Sequence, residues 1–384
     1  MSVETRSLPL ALRRRAGLLS AAVGLLVVAP LLLSSFRLGL LSKYLCLAIV
    51  ALGIDVAWGY GGMLTLGQGV FFGLGGYAMG MYLKLHAAGA GHVPDFMSWS
   101  GVEKLPLLWK PFRSPWVALP AAIILPVTVA VLLGALVFRQ RVRGAYFAIL
   151  TQALAVAFAI LLVGEQGLTG GTNGLTNFHD FFGYSLSDPV NQRNLYFLVT
   201  VILGGLYLIT RYLMASRFGR LLIAVRDGED RVRFLGYNPN LVKTAAFAYS
   251  AALAGIAGAL FVPVVGIISP SLVGAVVCIE FLIGVAAGGR GTLYGAVIGA
   301  VVVNWAKTGF SEHFPSGWLY LQGALFILVM AYAPRGLAGL WQSGRERAAA
   351  RRDRPSRVAT SFGLAERATP SPERGAAATA RAPT

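Results

Sequence analysis

Long apolar runs separated by short polar breaks set the rhythm of this chain. Runs of about 20 apolar residues recur, each long enough for a helix that crosses a bilayer. The pattern predicts spans at roughly 16–35, 40–58, 61–83, 116–138, 144–163, 194–214, 241–262, 272–288, 291–310 and 317–334. The fold class expected is an all-α integral membrane protein with about ten transmembrane helices. One stretch interrupts the rhythm. Residues 216–240 carry Arg217, Arg220, Arg226, Arg231 and Arg233 together with Asp227, Glu229 and Asp230. Nothing so polar sits against lipid, so this stretch lies in water. Leu221, Leu222, Val225, Val232 and Leu235 are spaced for one face of a short amphipathic helix. Gly236 stops that helix, and Asn238-Pro239 turns the chain into the next span.

Composition changes little of this picture and excludes a soluble domain. Hydrophobic residues make up 56% of the 384 and charged residues only 13%. The net charge of +17 is explained by basic connecting loops, without nucleic acid. Most of the 33 Lys and Arg fall on one side when both termini and residues 216–240 are placed in the cytoplasm. Arg13, Arg14 and Arg15 precede the first apolar run, which is read as a retained span. The domains follow: 1–15 is a cytoplasmic segment, 16–340 the transmembrane domain, and 341–384 a disordered basic tail, read as solvated and able to touch membrane lipid. Cys46 and Cys278 lie in apolar runs and imply neither disulfide nor metal. In the segment 84–115, Trp99, Trp109 and Trp116 suit an interfacial position.

Several residues could carry chemistry. The run Trp58–Tyr77 is rich in glycine, which in a membrane allows close helix approach or breaks a helix beside a pathway. Thr65 and Gln68 stand three residues apart, on one side of a helix, and offer hydrogen bonds to a neutral solute. Asp55 and Glu280 are ionisable residues inside spans: Asp55, close to the predicted inner end, suits a boundary role as well as a functional one, and Glu280 suits the permeation path or the partner interface ahead of a buried structural bond. Asn304 and Lys307 lie near the outer end of the ninth span, where Lys307 can snorkel. Asn173 belongs to TGGTNGL, read as a mouth or re-entrant loop. The Gly-rich segments 61–67 and 288–295 resemble each other weakly, which hints at internal duplication. His86, His92, His179 and His313 show no metal-ligand spacing, and no catalytic set is present. No Walker motif is present, so ATP hydrolysis would sit in separate subunits gripping the 216–240 helix.

GYGGMLTLGQGVFFGLGGYAMGMYL (59–83), RVRGAYFAILTQAL (141–154), GGTNGLTNF (170–178), SRFGRLLIAVRDGEDRVRFLGYN (216–238) and LAGIAGALFVP (253–263) together resemble a known family. It is the permeases of ABC importers of the branched-chain amino acid type, in the LivM branch. PDFM (94–97), RFLGY (233–237), GIISPS (266–271), IEFLIGVAAGGRGTLYGA (279–296) and NWAKT (304–308) are similar to the urea-carrying members. The resemblance implies a coupling loop at Arg226–Gly236, with Glu229 and Gly236 at the family's acidic and glycine positions. Arg226, Asp227 and Arg231 join that ATPase contact. Asp230-Arg231-Val232 departs from the usual small-residue triplet, and Gln68 stands where family members often have His. The implied assembly is two homologous permeases, two ATP-binding subunits and an external solute-binding protein in a bacterial inner membrane. This chain would bind no cofactor. Urea is the expected solute, with Thr65, Gln68, Asn173, Glu280 and Asn304 along its path. The alternatives are a branched-chain amino acid or short amide, or a stand-alone channel or ion-coupled carrier.

Overall fold

The computed structural model describes residues 24–332 except 90, 143, 315 and 316, together with Gly336 and Gly339. The expected cytoplasmic segment 1–15, residues 16–23 of the first predicted span and the tail 341–384 lie outside the described residues. The chain divides into two units at Leu340, and the described residues all belong to the first.

The main helices among the described residues are α1 (Ser35–Ile54), α2 (Gln68–Ala88), α3 (Pro115–Arg139), α4 (Ala145–Gly164) and α5 (Pro189–Ala215). They continue as α6 (Arg217–Phe234), α7 (Pro239–Val265), α8 (Ala275–Gly288), α9 (Leu293–His313) and α10 (Trp318–Tyr332). Seven are long and apolar enough to cross a membrane, against the ten spans expected: α1, α3, α4, α5, α7, α8 and α9. The shortfall has physical causes. Five glycines, Lys84 and His86 dilute the apolar character of α2, but α2 is buried in protein along nearly its whole length and need not satisfy lipid. Helix α10 has 15 residues. Of the first predicted span, a π-helical turn at Gly24–Val28 and a short helix at Ala29–Leu32 are described.

Helix α7 is the axis of the bundle and packs on α1, α2 and α3. Glycines set how closely. A Cβ at Gly75 would lie 2.0 Å from the Gly255 carbonyl oxygen, and one at Gly258 would lie 1.9 Å from that of Phe72. Backbone therefore touches backbone, as small residues permit between membrane helices. Phe71, Phe138, Phe147 and Phe247 fill the space beside these contacts as edge-on or tilted ring pairs. Helices α3, α4 and α5 turn apolar faces outward, with Ile124, Leu132, Ile160, Val201 and Ile209 all exposed. Those faces suit hydrocarbon, whereas the same area in water would be a large apolar patch.

One end of the bundle carries α6, the α3–α4 connection and the turn Gly289–Thr292. The other carries residues 89–114 and 165–188. At that second end the strand β1 (Leu175–Thr176) precedes the hairpin β2 (Asp180–Phe181) and β3 (Tyr184–Ser185). Strand β1 pairs antiparallel with β4 (Ile267–Ile268), just after α7. Gly174 is required there: its φ is +68°, and a Cβ would lie 2.1 Å from the Ile268 carbonyl oxygen. Trp99 and Trp116 are exposed as an interfacial position requires, but Trp109 is buried against Phe112. Lys84 is buried and paired with Asp95 at 2.9 Å.

Gly258→Ala is expected to push α7 away from Phe72 and cost about 1–3 kcal/mol, the usual range for overpacking. A lower midpoint in thermal denaturation of the detergent-solubilised protein would show it, and an unchanged midpoint would contradict this account of the α2–α7 contact.

Candidate functional site

The amphipathic helix expected near 221–235 is present and longer. Ser216 caps α6, its hydroxyl oxygen accepting from the Phe218 N–H. The helix kinks at Gly228 and ends before Gly236, whose φ of +86° stops it as expected. Leu222, Val225 and Val232 form the buried face, whereas Leu221 is half-buried and Leu235 is exposed. The kink at Gly228 rotates the last turn, so the single stripe drawn from an ideal period does not continue to Leu235.

The charged residues of α6 divide into two sets. Asp227 is exposed and accepts from Arg226 Nε at 2.8 Å. That bond holds the Asp227 carboxyl below its ordinary range. Asp230 is exposed and pairs with Arg233 at 3.6 Å, and Arg231 is exposed. Glu229 instead turns inward. It pairs with Lys243 at the start of α7, with both side chains nearly buried, and accepts from Arg233 at 3.4 Å. Glu229 therefore fastens α6 to α7, and its side chain is not part of the exposed rim.

Arg226 also reaches into the bundle. Its Nη1 donates to the Gly59 carbonyl oxygen at 2.8 Å, and its stem lies over Gly62. Gly59 belongs to a π-helical turn, Asp55–Tyr60, that continues α1. Here the chain stops being helical until Gln68, with Gly62 at a φ of +69°. Thr65 therefore does not sit on a helix with Gln68, contrary to the three-residue spacing argument. The break is stabilised from outside: the Leu66 N–H donates to Thr151 of α4, and a Cβ at Gly67 would collide with the Thr151 backbone. The second Gly-rich segment, 288–295, meets the π-helical turn that precedes the first. The Gly291 N–H, in the α8–α9 turn, donates to Asp55 Oδ1, and Arg290 lies over the Trp58 ring. Asp55 Oδ2 is buried without a hydrogen-bond partner among the described residues. A cavity of about 430 Å³ opens between Gly61–Met63, α6, Phe147 and Lys243.

The expected pathway residues do not converge. Thr65 and Gln68 are buried near the helix break, and Gln68 Nε2 donates to Ser250 of α7 at 2.9 Å. Its Oε1 is buried without a partner among the described residues. Asn173 is exposed at the far end of the bundle. Glu280 pairs with Lys307, both oxygens accepting at 2.6 Å, so Lys307 bridges helices where snorkelling was expected. Asn304 donates to the Ala300 carbonyl oxygen of its own helix. Among the described residues no three His, Cys, Asp or Glu side chains cluster as metal ligands.

Residues 36–330 match the family described as branched-chain amino acid transport system, permease component. The chain belongs to this permease family. The high-affinity branched-chain amino acid transport system permease protein LivM of Escherichia coli (strain K12) is 30% identical over 342 residues, covering 82% of this chain and 73% of LivM. BraD, a permease protein of the same kind of system in Pseudomonas aeruginosa, is 22% identical and covers 76% of this chain and 91% of its own length. The xylose transport system permease protein XylH of E. coli is 30% identical over 141 residues, 35% of this chain. No solved structure matches. In this permease, Ser250 and Gly291 act through partners 182 and 236 positions away, which no local pattern shows, and Lys243 acts through Glu229, 14 positions earlier across the α6–α7 turn. Only the cost of a lone charge at the start of α7 could have pointed to Lys243.

Glu229→Lys is expected to set two ammonium groups together where one pair was nearly buried, at a cost of about 3 kcal/mol or more. Adding Lys243→Glu restores the pair. Thermal stability of single and double variants tests this, and a double variant no better than the single would contradict it.

Proposed function

We propose that this permease is one of a homologous pair in a bacterial inner membrane. It works with two ATP-binding subunits and an external solute-binding protein as an ATP-driven importer. ATP binds to the partner subunits, and this chain needs no cofactor. Helix α6 and both termini face the cytoplasm, a reading supported by Arg139, Arg141, Arg217, Arg220 and Arg290 at one end of the bundle. One observation carries the mechanism, the bond from Arg226 to the Gly59 carbonyl oxygen. It ties an exposed helix to the turn where α1 meets the α8–α9 connection. An ATPase that moves α6 pulls on Gly59 and, one turn away, on the Asp55–Gly291 contact. The exposed Phe234, Leu235 and Tyr237, beside Asp230 and Arg231, give the partner an apolar tip ringed by charge.

The solute class with most support is a branched-chain amino acid, because the relatives LivM and BraD carry that description. Urea is a second reading, and one observation favours it. The polar groups at the helix break, Thr65, Gln68 and Ser250, are uncharged and buried, as a neutral solute requires. The segments 279–296 and 304–308 add their resemblance to urea-carrying members.

Uptake of labelled leucine and labelled urea in cells carrying the complete set of subunits, with and without this chain, separates the two. Loss of leucine uptake that urea does not compete supports the amino acid. Loss of urea uptake that leucine does not compete transfers the assignment to urea. Uptake that survives removal of the ATP-binding subunits overturns the importer reading in favour of a channel or ion-coupled carrier. Arg226→Ala is expected to lower uptake about tenfold or more, the scale of one lost charged hydrogen bond. ATP hydrolysis should continue, so uptake and hydrolysis measured together in proteoliposomes check the link.

A further inference from the structure

The cavity of about 430 Å³ beside α6 has walls of two kinds. Met63, Phe138, Phe147 and Val225 are buried and give it an apolar side. Three cations, Arg226, Arg231 and Lys243, and three carboxylates, Asp227, Glu229 and Asp230, give it a polar side. The two sets cancel, so a ligand with a single charge would leave the lining unbalanced. A molecule with one charge of each sign and an apolar branch matches both sides. A free apolar amino acid has that chemistry, whereas urea has neither the charges nor the branch. The volume falls within the range of ligand pockets, about 300–1,000 Å³.

The cavity ends inside the protein. The turn at Gly61–Met63 closes its inner end, where the N–H groups of Gly61, Gly62 and Met63 donate to the carbonyl oxygens of Val56, Trp58 and Ala57 within 3.0 Å. The exposed side chains of Arg226, Asp227, Asp230 and Arg231 mark its open side. That side belongs to the end of the bundle assigned to the cytoplasm. A solute that enters there stops at the turn, so the cavity is a resting place for imported solute rather than a stretch of the way in. Its occupant also touches two bodies. Helix α6 supplies Val225 and five of the six charges, and the opposite wall comes from the end of α3, the start of α4 and the start of α7. Arg226 to Gly59 and Glu229 to Lys243 already link α6 to the rest of the bundle. A ligand that adds a further link favours the arrangement it binds and makes α6 harder to move.

We propose that this cavity binds a free amino acid with a branched apolar side chain from the cytoplasm, and that the bound molecule holds α6 against the bundle and slows the ATP-driven cycle. The ligand carboxylate accepts from the cations, its ammonium donates to the carboxylates, and its branch lies against Phe138 and Phe147. Imported solute then restrains its own further import. The inference rests on the importer reading proposed for this permease, with an amino acid as the solute.

Binding of labelled leucine to the complex of permeases and ATP-binding subunits in lipid nanodiscs, without the binding protein, tests it. Leucine is expected to bind about tenfold or more tighter than glycine, the scale of burying two methylene-sized groups. Isocaproate and isoamylamine, which each lack one of leucine's charges, should compete about tenfold or more weakly, as should urea. ATP hydrolysis should fall over the same leucine concentrations. Val142, half-buried in the α3–α4 connection, lines the cavity, and Cys46 and Cys278 are buried. In Val142→Cys, bound leucine should therefore slow maleimide labelling of the introduced thiol. Absent leucine binding, labelling that leucine does not slow, or hydrolysis that leucine leaves unchanged overturns the site, while ATP-dependent leucine uptake by the same complex keeps the importer. Competition by isocaproate or isoamylamine equal to that of leucine overturns the two-charge match and the site with it. A complex with no ATP-dependent uptake overturns the importer reading and the inference together.

Discussion

Backbone contact through glycine is the constraint on which the rest of this permease depends. Gly75, Gly255 and Gly258 let α7 lie directly on α2 and α3, closer than side chains of any size would allow. With α7 fixed, Ser250 meets Gln68 and Lys243 meets Glu229. Burial between helices in lipid gains little from the hydrophobic effect, so close dispersion contact and shared polar groups must hold the bundle. That requirement explains why α2 can be glycine-rich and still be a helix: its neighbours supply the order that its own residues lack.

Other glycines of the run that holds Gly75 serve a second purpose a few residues earlier. Between Gly59 and Gln68 they let the chain leave the helix, so that backbone groups are free to bond elsewhere. The Gly59 carbonyl oxygen takes Arg226, and the Leu66 N–H takes Thr151. Unpaired backbone groups inside a membrane protein are costly, and this break is tolerated because α4 and α6 supply partners. One Gly-rich run therefore does two jobs, close packing after Gln68 and an interrupted helix before it.

The lysines that pair with carboxylates follow one rule. Lys84, Lys243 and Lys307 each join their helix to another segment through a carboxylate. A half-buried ion with a partner costs far less than one without.

Much of this was legible in the chain itself. The lengths of the apolar runs determined a multi-span helical protein, and the polar interruption at 216–240 determined an amphipathic helix ended by Gly236. Both are local properties: a run of twenty apolar residues or a glycine with positive φ needs no distant partner to be recognised. The tertiary structure decided the rest. It placed Thr65 outside a helix, turned Glu229 toward Lys243 and gave Glu280 to Lys307. Each of these depends on groups brought together from distant parts of the chain, such as Asp55 and Gly291 at 236 positions apart. Hydropathy and residue spacing describe only neighbours along one helix, so the partner that settles a polar group's role becomes visible only when the helices are packed.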